Sequence, residues 1–352
     1  MNPATYYWID YFNLPSNSEW WVSFLLVVFI YLFLILPFGN FMGVIERKFI
    51  SRLEARVGPE FSGWMGLGQA FADLVKLIQK VPRKESFSEM ILFTLFFMIL
   101  IGSVAALPLG TMLNLFDSEL SGFIPLVSCL HLAFGSVMIG FSQKSISGLM
   151  GGLRIAVQTI TGLVPALIAI LTVGALSGGF SWNALISNQG FGPWSWNLVK
   201  NPFLFFSVFS FLISGLILQS GPIFQSPLAM GDLYGGITAK LYGRRLGYFR
   251  MTRFYLWFLW CVVTVALFLG GYQIPVYLKT HLMESHSYII LMFLEVGTVF
   301  VKTLFLMLLL KGFTRIQSNA RINQTTTLVW KVLLPFSFVG FIGALLFKGG
   351  LA

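Results

Sequence analysis

Hydrophobic residues in this chain come in long blocks, separated by polar connections that are richest in Lys and Arg. A helix that crosses a bilayer needs roughly 20 consecutive, mostly apolar residues. Eight windows meet that demand: Trp21–Met42, Ile91–Leu109, Phe123–Phe141, Leu153–Leu176, Phe203–Leu218, Phe254–Ile274, Ile289–Leu310 and Leu328–Phe347. The fifth is short. The fourth contains Pro165, which a membrane helix tolerates when neighbours satisfy the freed carbonyl. A different rhythm runs over 64–80, where Trp64, Leu67, Phe71, Leu74, Val75 and Ile78 recur at helical spacing, while Gln69, Asp73, Lys76 and Lys80 fall largely on the other face. This segment is too short and too charged to span, so it is predicted to lie along the membrane surface. There it forms either the lip of an opening for a lipid-soluble molecule or a plain seal on the end of the bundle. Periodicity leaves both open.

The pattern predicts an all-α integral membrane protein of about eight transmembrane helices plus that surface helix, in a single membrane domain over 1–352. Residues 1–20 hold Tyr and Trp but no basic stretch and no long apolar run, so an interfacial segment is expected there rather than a signal peptide. Residues 43–90 and 219–253 are expected to be cytoplasmic loops. Composition agrees: 57% of residues are hydrophobic and 10% charged, against roughly 25% charged in soluble chains. No internal repeat of the kind found in inverted-repeat transporters is visible.

Charge orients the bundle. Of 23 Lys and Arg residues, eighteen fall in alternate connections, led by Arg47, Lys48, Arg52, Arg56, Lys76, Lys80, Arg83 and Lys84 after the first window. The other side has Lys200, Lys279 and Lys348. The positive-inside rule then places both termini outside the cytoplasm. The +10 net charge is mostly this bias, suited to anionic lipid or an acidic partner surface, and it calls for no nucleic acid.

Little in the chain suggests a redox centre of its own. Cys129 and Cys261 sit in separate apolar runs, and His131, His281 and His286 form no ligand spacing. No dinucleotide or phosphate-loop glycine motif is present. Any electron carriers are expected on other chains. Glu295 and Lys302 both fall in the seventh window, seven residues and about 10 Å apart along one helix face. Charges at membrane depth are functional candidates. Either they form a polar path, to which His131 would add, or Glu295 sits near the end of its span and pairs with a neighbouring subunit.

Glu46, Arg47 and Lys48, then Arg56, Gly58 and Pro59, then Gly66, Gln69, Ala72, Asp73, Lys76, Leu77 and Lys80 form a long ordered pattern. It resembles the H-type membrane subunit of bacterial NADH-quinone oxidoreductase (respiratory complex I), which is subunit 1 of the mitochondrial enzyme. Later patches continue the likeness in order: Gly152, Leu153, Arg154 and Gln158, then Pro165, then Lys302 and Thr303, then Arg321 and Gln324, and finally Trp330, Lys331, Leu333, Leu334 and Pro335.

The resemblance implies a membrane subunit that joins the peripheral redox arm to the proton-pumping membrane arm and helps form the quinone chamber. On that reading Glu46, Arg47, Arg56, Gln69, Asp73, Lys76 and Arg154 form the docking and quinone-mouth set, and Asp232, Glu295 and Lys302 are polar-path candidates. The chain itself would bind no cofactor. Quinone would be substrate of the complex, with FMN and iron–sulfur clusters on partner subunits. Expected partners are peripheral iron–sulfur subunits at the cytoplasmic loops, small and antiporter-like membrane subunits, and anionic lipids, in the inner membrane of a bacterium. A structural anchor in a complex I-like or hydrogenase-like assembly, without quinone or proton chemistry, is the alternative. An independent transporter is a further one.

The chain departs from the family pattern in the stretch between the fifth and sixth windows. That stretch is rich in carboxylates in the family, whereas ILQSGPIFQSPLAMGDLYGGITAKLYG keeps Asp232 alone. Leu218, Leu228, Met230, Lys240 and Arg253 stand where the family has Glu, Gln225 where it has Asp, and Gly221 where it has Arg. Leu163 and Asn323 likewise replace acids. A carboxylate binds and releases a proton and an aliphatic side chain does not, so proton coupling by the family's usual route is expected to be interrupted here.

Overall fold

The structure, a computed structural model, describes residues 19–29, 36–63, 66–80, 93, 107–114, 117–218, 222–224, 236–238, 241, 243–285 and 287–351. Eleven α-helices of seven or more residues organise them: α1 (Glu19–Phe29), α2 (Leu36–Leu53), α3 (Gln69–Gln79), α4 (Ile124–Ser142), α5 (Ile146–Ser177), α6 (Leu204–Leu218), α7 (Gly243–Phe268), α8 (Val276–Glu284), α9 (Tyr288–Ile316), α10 (Ile322–Leu328) and α11 (Leu334–Leu351). Among the described residues there is no strand. Five helical stretches among these residues are long and apolar enough to span, and α6 is a shorter apolar helix. The chain is therefore an all-α membrane protein. The first 18 residues, most of the second apolar window and most of 219–242 lie outside the described residues.

α7 is the axis of the bundle. About 83% of its spanning window is buried, against 39% for α9 and 33% for the α10–α11 stretch, whose outer faces keep exposed Phe, Val and Leu. Its Trp260 stacks on Phe211 of α6 at 4.3 Å, and the indole N–H donates to the Phe211 carbonyl at 3.1 Å. Gly215 makes that contact possible, because a Cβ there would lie 2.1 Å from the Trp260 ring. α5 packs on α4, α6 and α11 and stays helical through Pro165 for 32 residues, about 48 Å.

Two helices extend into stretches that read as loops in the sequence. α2 continues to Leu53, carrying Glu46, Arg47, Lys48 and Arg52 on helical turns. It stops where Ala55 takes a left-handed φ of 53° and the Arg56 N–H donates back to the Ser51 carbonyl at 2.7 Å, a Schellman-type ending. α7 starts at Gly243, so Arg245, Arg250 and Arg253 occupy its first three turns. Charged residues are adequate helix formers and mark the exit from lipid rather than the end of the helix.

α10 passes into α11 through a π-helical turn, Val329–Leu333, in which the Leu334 N–H reaches back five residues to the Val329 carbonyl. Pro335 follows and has no N–H to continue the regular ladder. The Ser210 hydroxyl of α6 donates to the Leu333 carbonyl at 3.3 Å.

Candidate functional site

The C-terminal ends of α2 and α9, together with α3, meet at the basic end of the bundle. α3 is shorter than the 64–80 pattern suggests. It begins at Gln69, and residues 64 and 65 lie outside the described residues. The turn before it is tightly folded. Gly66 has a φ of +74°, and a Cβ on it would lie 2.0 Å from the Pro59 carbonyl oxygen.

Four polar side chains form a chain across this end. The Ser62 hydroxyl donates to Gln69 Oε1 at 2.8 Å, Gln69 Nε2 donates to Asp73 Oδ1 at 2.9 Å, and Arg47 Nη1 donates to Asp73 Oδ2 at 2.6 Å. Asp73 thus fastens α3 to α2. Partial burial pushes its carboxyl upward, but hydrogen bonding and charge from Arg47, together with Gln69 and Lys76, outweigh that and hold it below the usual carboxylate value. Two further ion pairs lock α2 to α9. Lys311 Nζ lies 2.9 Å from Glu46, both about four-fifths buried, and Arg315 lies 3.2 Å from Glu54. The Lys311 ammonium also sits 5.4 Å from the Trp257 ring centroid.

The structure brings together Arg47, Gln69 and Asp73, with Glu46 nearby on α2. Arg56 is exposed and reaches Glu54 at 4.0 Å. Lys76 is exposed on α3, one turn beyond Asp73. Arg154 is half-buried on α5, and among the described residues no contact joins it to the Asp73 network. Asp232 lies outside the described residues. Gln158, from the same patch as Arg154, is buried and donates to the Ile217 carbonyl at 2.9 Å and the Phe224 carbonyl at 3.1 Å, holding the start of the next connection against α5. Farther along, Gln143 donates to the Ile237 carbonyl at 2.6 Å.

At the opposite end, Glu295 and Lys302 have separate partners. The Lys302 ammonium donates to the carbonyls of Leu269 at 2.9 Å and Gly271 at 3.1 Å, just past the end of α7, and lies 5.2 Å from the Trp196 ring centroid. A cation at a helix C-terminus is favourable there. Gln189 and Asn197 donate to other carbonyls at the same end of α7. Lys348 does the same for α5, reaching the Leu176 carbonyl at 2.8 Å. Glu295 accepts hydrogen bonds from Thr111 and faces Lys279 of α8 at 3.6 Å, so its cationic partner belongs to this chain. Sequence reasoning missed Ser62, Glu54, Thr111, Lys311 and Arg315 in these assemblies. No local pattern marks them, because each meets its partner from a different element.

Among the described residues no three His, Cys, Asp or Glu side chains converge as a metal site would require. Two buried cysteines also fall short of the four thiolates of an ordinary iron–sulfur cluster.

The sequence profile of the NADH dehydrogenase family matches residues 25–345. The H-type subunit of NADH-quinone oxidoreductase from Anaeromyxobacter dehalogenans (strain 2CP-C) is 28% identical over 315 residues, a stretch covering 86% of this chain and 76% of that protein.

Proposed function

This chain belongs to the NADH dehydrogenase family, and from that membership we propose that it is the H-type membrane subunit of an NADH-quinone oxidoreductase, joining the peripheral redox arm to the membrane arm and helping to form the quinone chamber. Electron carriers, FMN and iron–sulfur clusters, reside on partner subunits, and quinone is the substrate of the assembly. The basic end faces the cytoplasm, where the peripheral iron–sulfur subunits dock. Both termini lie outside, in the inner membrane of a bacterium, with small and antiporter-like subunits and anionic lipid alongside.

The observation that carries this reading is the Ser62–Gln69–Asp73–Arg47 chain. It fixes the amphipathic helix α3 against the exit of α2 through side chains from two connected elements, and Asp73 keeps its charge at any physiological pH. A rigid amphipathic helix at the membrane surface, with an ionised carboxylate on its polar side, suits the rim of a quinone entrance. Arg56, Lys76 and Arg154 complete the docking and quinone-mouth set with Glu46. Glu295 and Lys302 take no part in it. The test is Asp73→Asn in the purified complex. Lowered quinone turnover and altered sensitivity to quinone-site inhibitors are expected, and unchanged values of both would remove Asp73 from the quinone role.

A second reading has support of its own. Glu46, Glu54 and Asp73 are all held in ion pairs, as a purely structural anchor would require. An assembly that copurifies with iron–sulfur partners yet binds no quinone beside α3 would establish that reading instead.

A further inference from the structure

Among the described residues Glu295 is the one acid in the fully buried class, two turns into the spanning helix α9. A buried carboxylate must be neutralised by a cation or by a proton. Its cation here is Lys279, which reaches in from α8, a surface helix whose Val276 and Tyr277 are exposed. The contact is 3.6 Å, longer than the 2.7–2.9 Å or so of a charge-assisted hydrogen bond, and the lysine side chain keeps 23% of its surface in contact with the outside. The remaining bonds come from Thr111, whose N–H lies 2.6 Å and whose hydroxyl lies 2.8 Å from Oε2.

A threonine hydroxyl both donates and accepts, so it can bond either form of the carboxyl, while the Thr111 N–H only donates. Asn114, directly after the 3-10 turn that holds Thr111, is buried, and among the described residues its side-chain amide atoms have no hydrogen-bond partner. Gly110 leaves the space the carboxylate occupies, since a Cβ there would lie 2.9 Å from Oε2. The other ionisable groups around the site are accounted for. Lys302, deeper along α9, is tied to carbonyls just past the end of α7, and the Tyr272 hydroxyl is bound to Asn183, which contacts Asp117, while the Tyr272 ring centroid lies 5.9 Å from the Lys279 ammonium. His281 and Glu284 are exposed on α8.

The geometry points to a proton-exchange site in which Glu295 holds, in turn, the Lys279 ammonium or a proton, at the end of the bundle away from the basic connections. In the loaded state a hydronium ion has given its proton to the carboxylate, forming the carboxyl O–H bond and leaving water, and Lys279 turns outward. In the released state the O–H bond breaks, the proton passes to water on the Lys279 side, and the ammonium returns to neutralise the carboxylate. The residue is independent of the family carboxylates that this chain lacks between α6 and α7.

This inference rests on the reading of the chain as a subunit of a proton-moving oxidoreductase. Its test uses the whole complex in sealed liposomes, with protons moved per NADH oxidised measured for the wild type, Glu295→Gln, Lys279→Gln and the exposed control Glu284→Gln. A loss in that ratio is expected for the first two variants and none for the control. A carboxylic C=O infrared band that disappears in Glu295→Gln is expected as well. Equal ratios in all four proteins, or no such band, would overturn the proposal. If Glu295→Gln fails to assemble, Lys279→Gln decides the question alone, because it changes only a partly exposed side chain on a surface helix. A wild-type complex that oxidises NADH without reducing quinone would defeat the functional reading, while the infrared band would still report on Glu295.

Discussion

Lys311→Met tests how the basic end is held together. The ammonium lies 2.9 Å from Glu46, with 18% and 20% of the two side chains exposed. Stranding a fully buried charge costs about 3–5 kcal/mol, whereas losing an exposed pair costs about 0–1 kcal/mol. At roughly four-fifths burial we expect about 2 kcal/mol, including the lost cation–π contact with Trp257. Methionine keeps the volume of the stem, so little of this comes from a cavity. Cys261 offers a local readout, since it is fully buried on α7 in the electrostatic reach of both Lys311 and Glu46. Where opening is fast relative to labelling, alkylation tracks the open population. About 2 kcal/mol then raises Cys261 alkylation in the intact complex roughly thirtyfold, quantified by mass spectrometry. The double variant Lys311→Met, Glu46→Gln is expected to recover at least half of the loss in free energy, because it leaves no charge behind. Alkylation of Lys311→Met at the wild-type rate, or a double variant no better than the single, would show that the pair does not hold α2 to α9.

Two further outcomes follow from the same end of the molecule. Gly66→Ala forces a side chain into a left-handed φ of +74° against the Pro59 carbonyl, so a destabilisation of about 2–3 kcal/mol confined to the turn is expected, seen as faster amide exchange over residues 58–68. The depressed Asp73 carboxyl gives a defined acid response. Its contribution is complete above the ordinary carboxyl value of 3.8 and is lost as pH falls through the lower folded value. Exchange protection of α3 should therefore hold from neutral pH down to that range and fall only below it, and Asp73→Asn should abolish the pH dependence.

Much of the fold was legible because lipid demands long apolar helices, and a block of apolar residues is hard to mistake. The errors lie where helices leave the apolar blocks. The turns carrying Arg47 and Arg52, and those carrying Arg245 and Arg250, are helical, yet their charge makes them read as loop. The site was legible in part. Gln69 and Asp73 are four residues apart on one helix, so their contact follows from spacing. Arg47 as the partner of Asp73, and Lys311 as that of Glu46, depend on how α2 packs on α3 and α9, which no local pattern encodes. The spacing of Glu295 and Lys302 suggested one polar face. Packing instead gives each its own partner, because the carbonyls past the end of α7 attract the lysine and the Thr111 turn attracts the acid.

The π-helical turn between α10 and α11 acts as a built-in one-residue insertion. An α-helix advances about 100° per residue, so a deletion from a regular helix would swing everything before it by roughly that angle. The wide turn already absorbs one extra residue, so removing one residue from Val329–Leu333 would restore a regular helix and leave Ile322–Leu328 facing α11 much as it does now. Thr325 would stay buried, and Arg321 at the head of α10 would keep its direction. A relative one residue shorter here would carry the same motifs on the same faces, and pairing the two sequences by position would require a single-residue gap inside an otherwise unbroken helix.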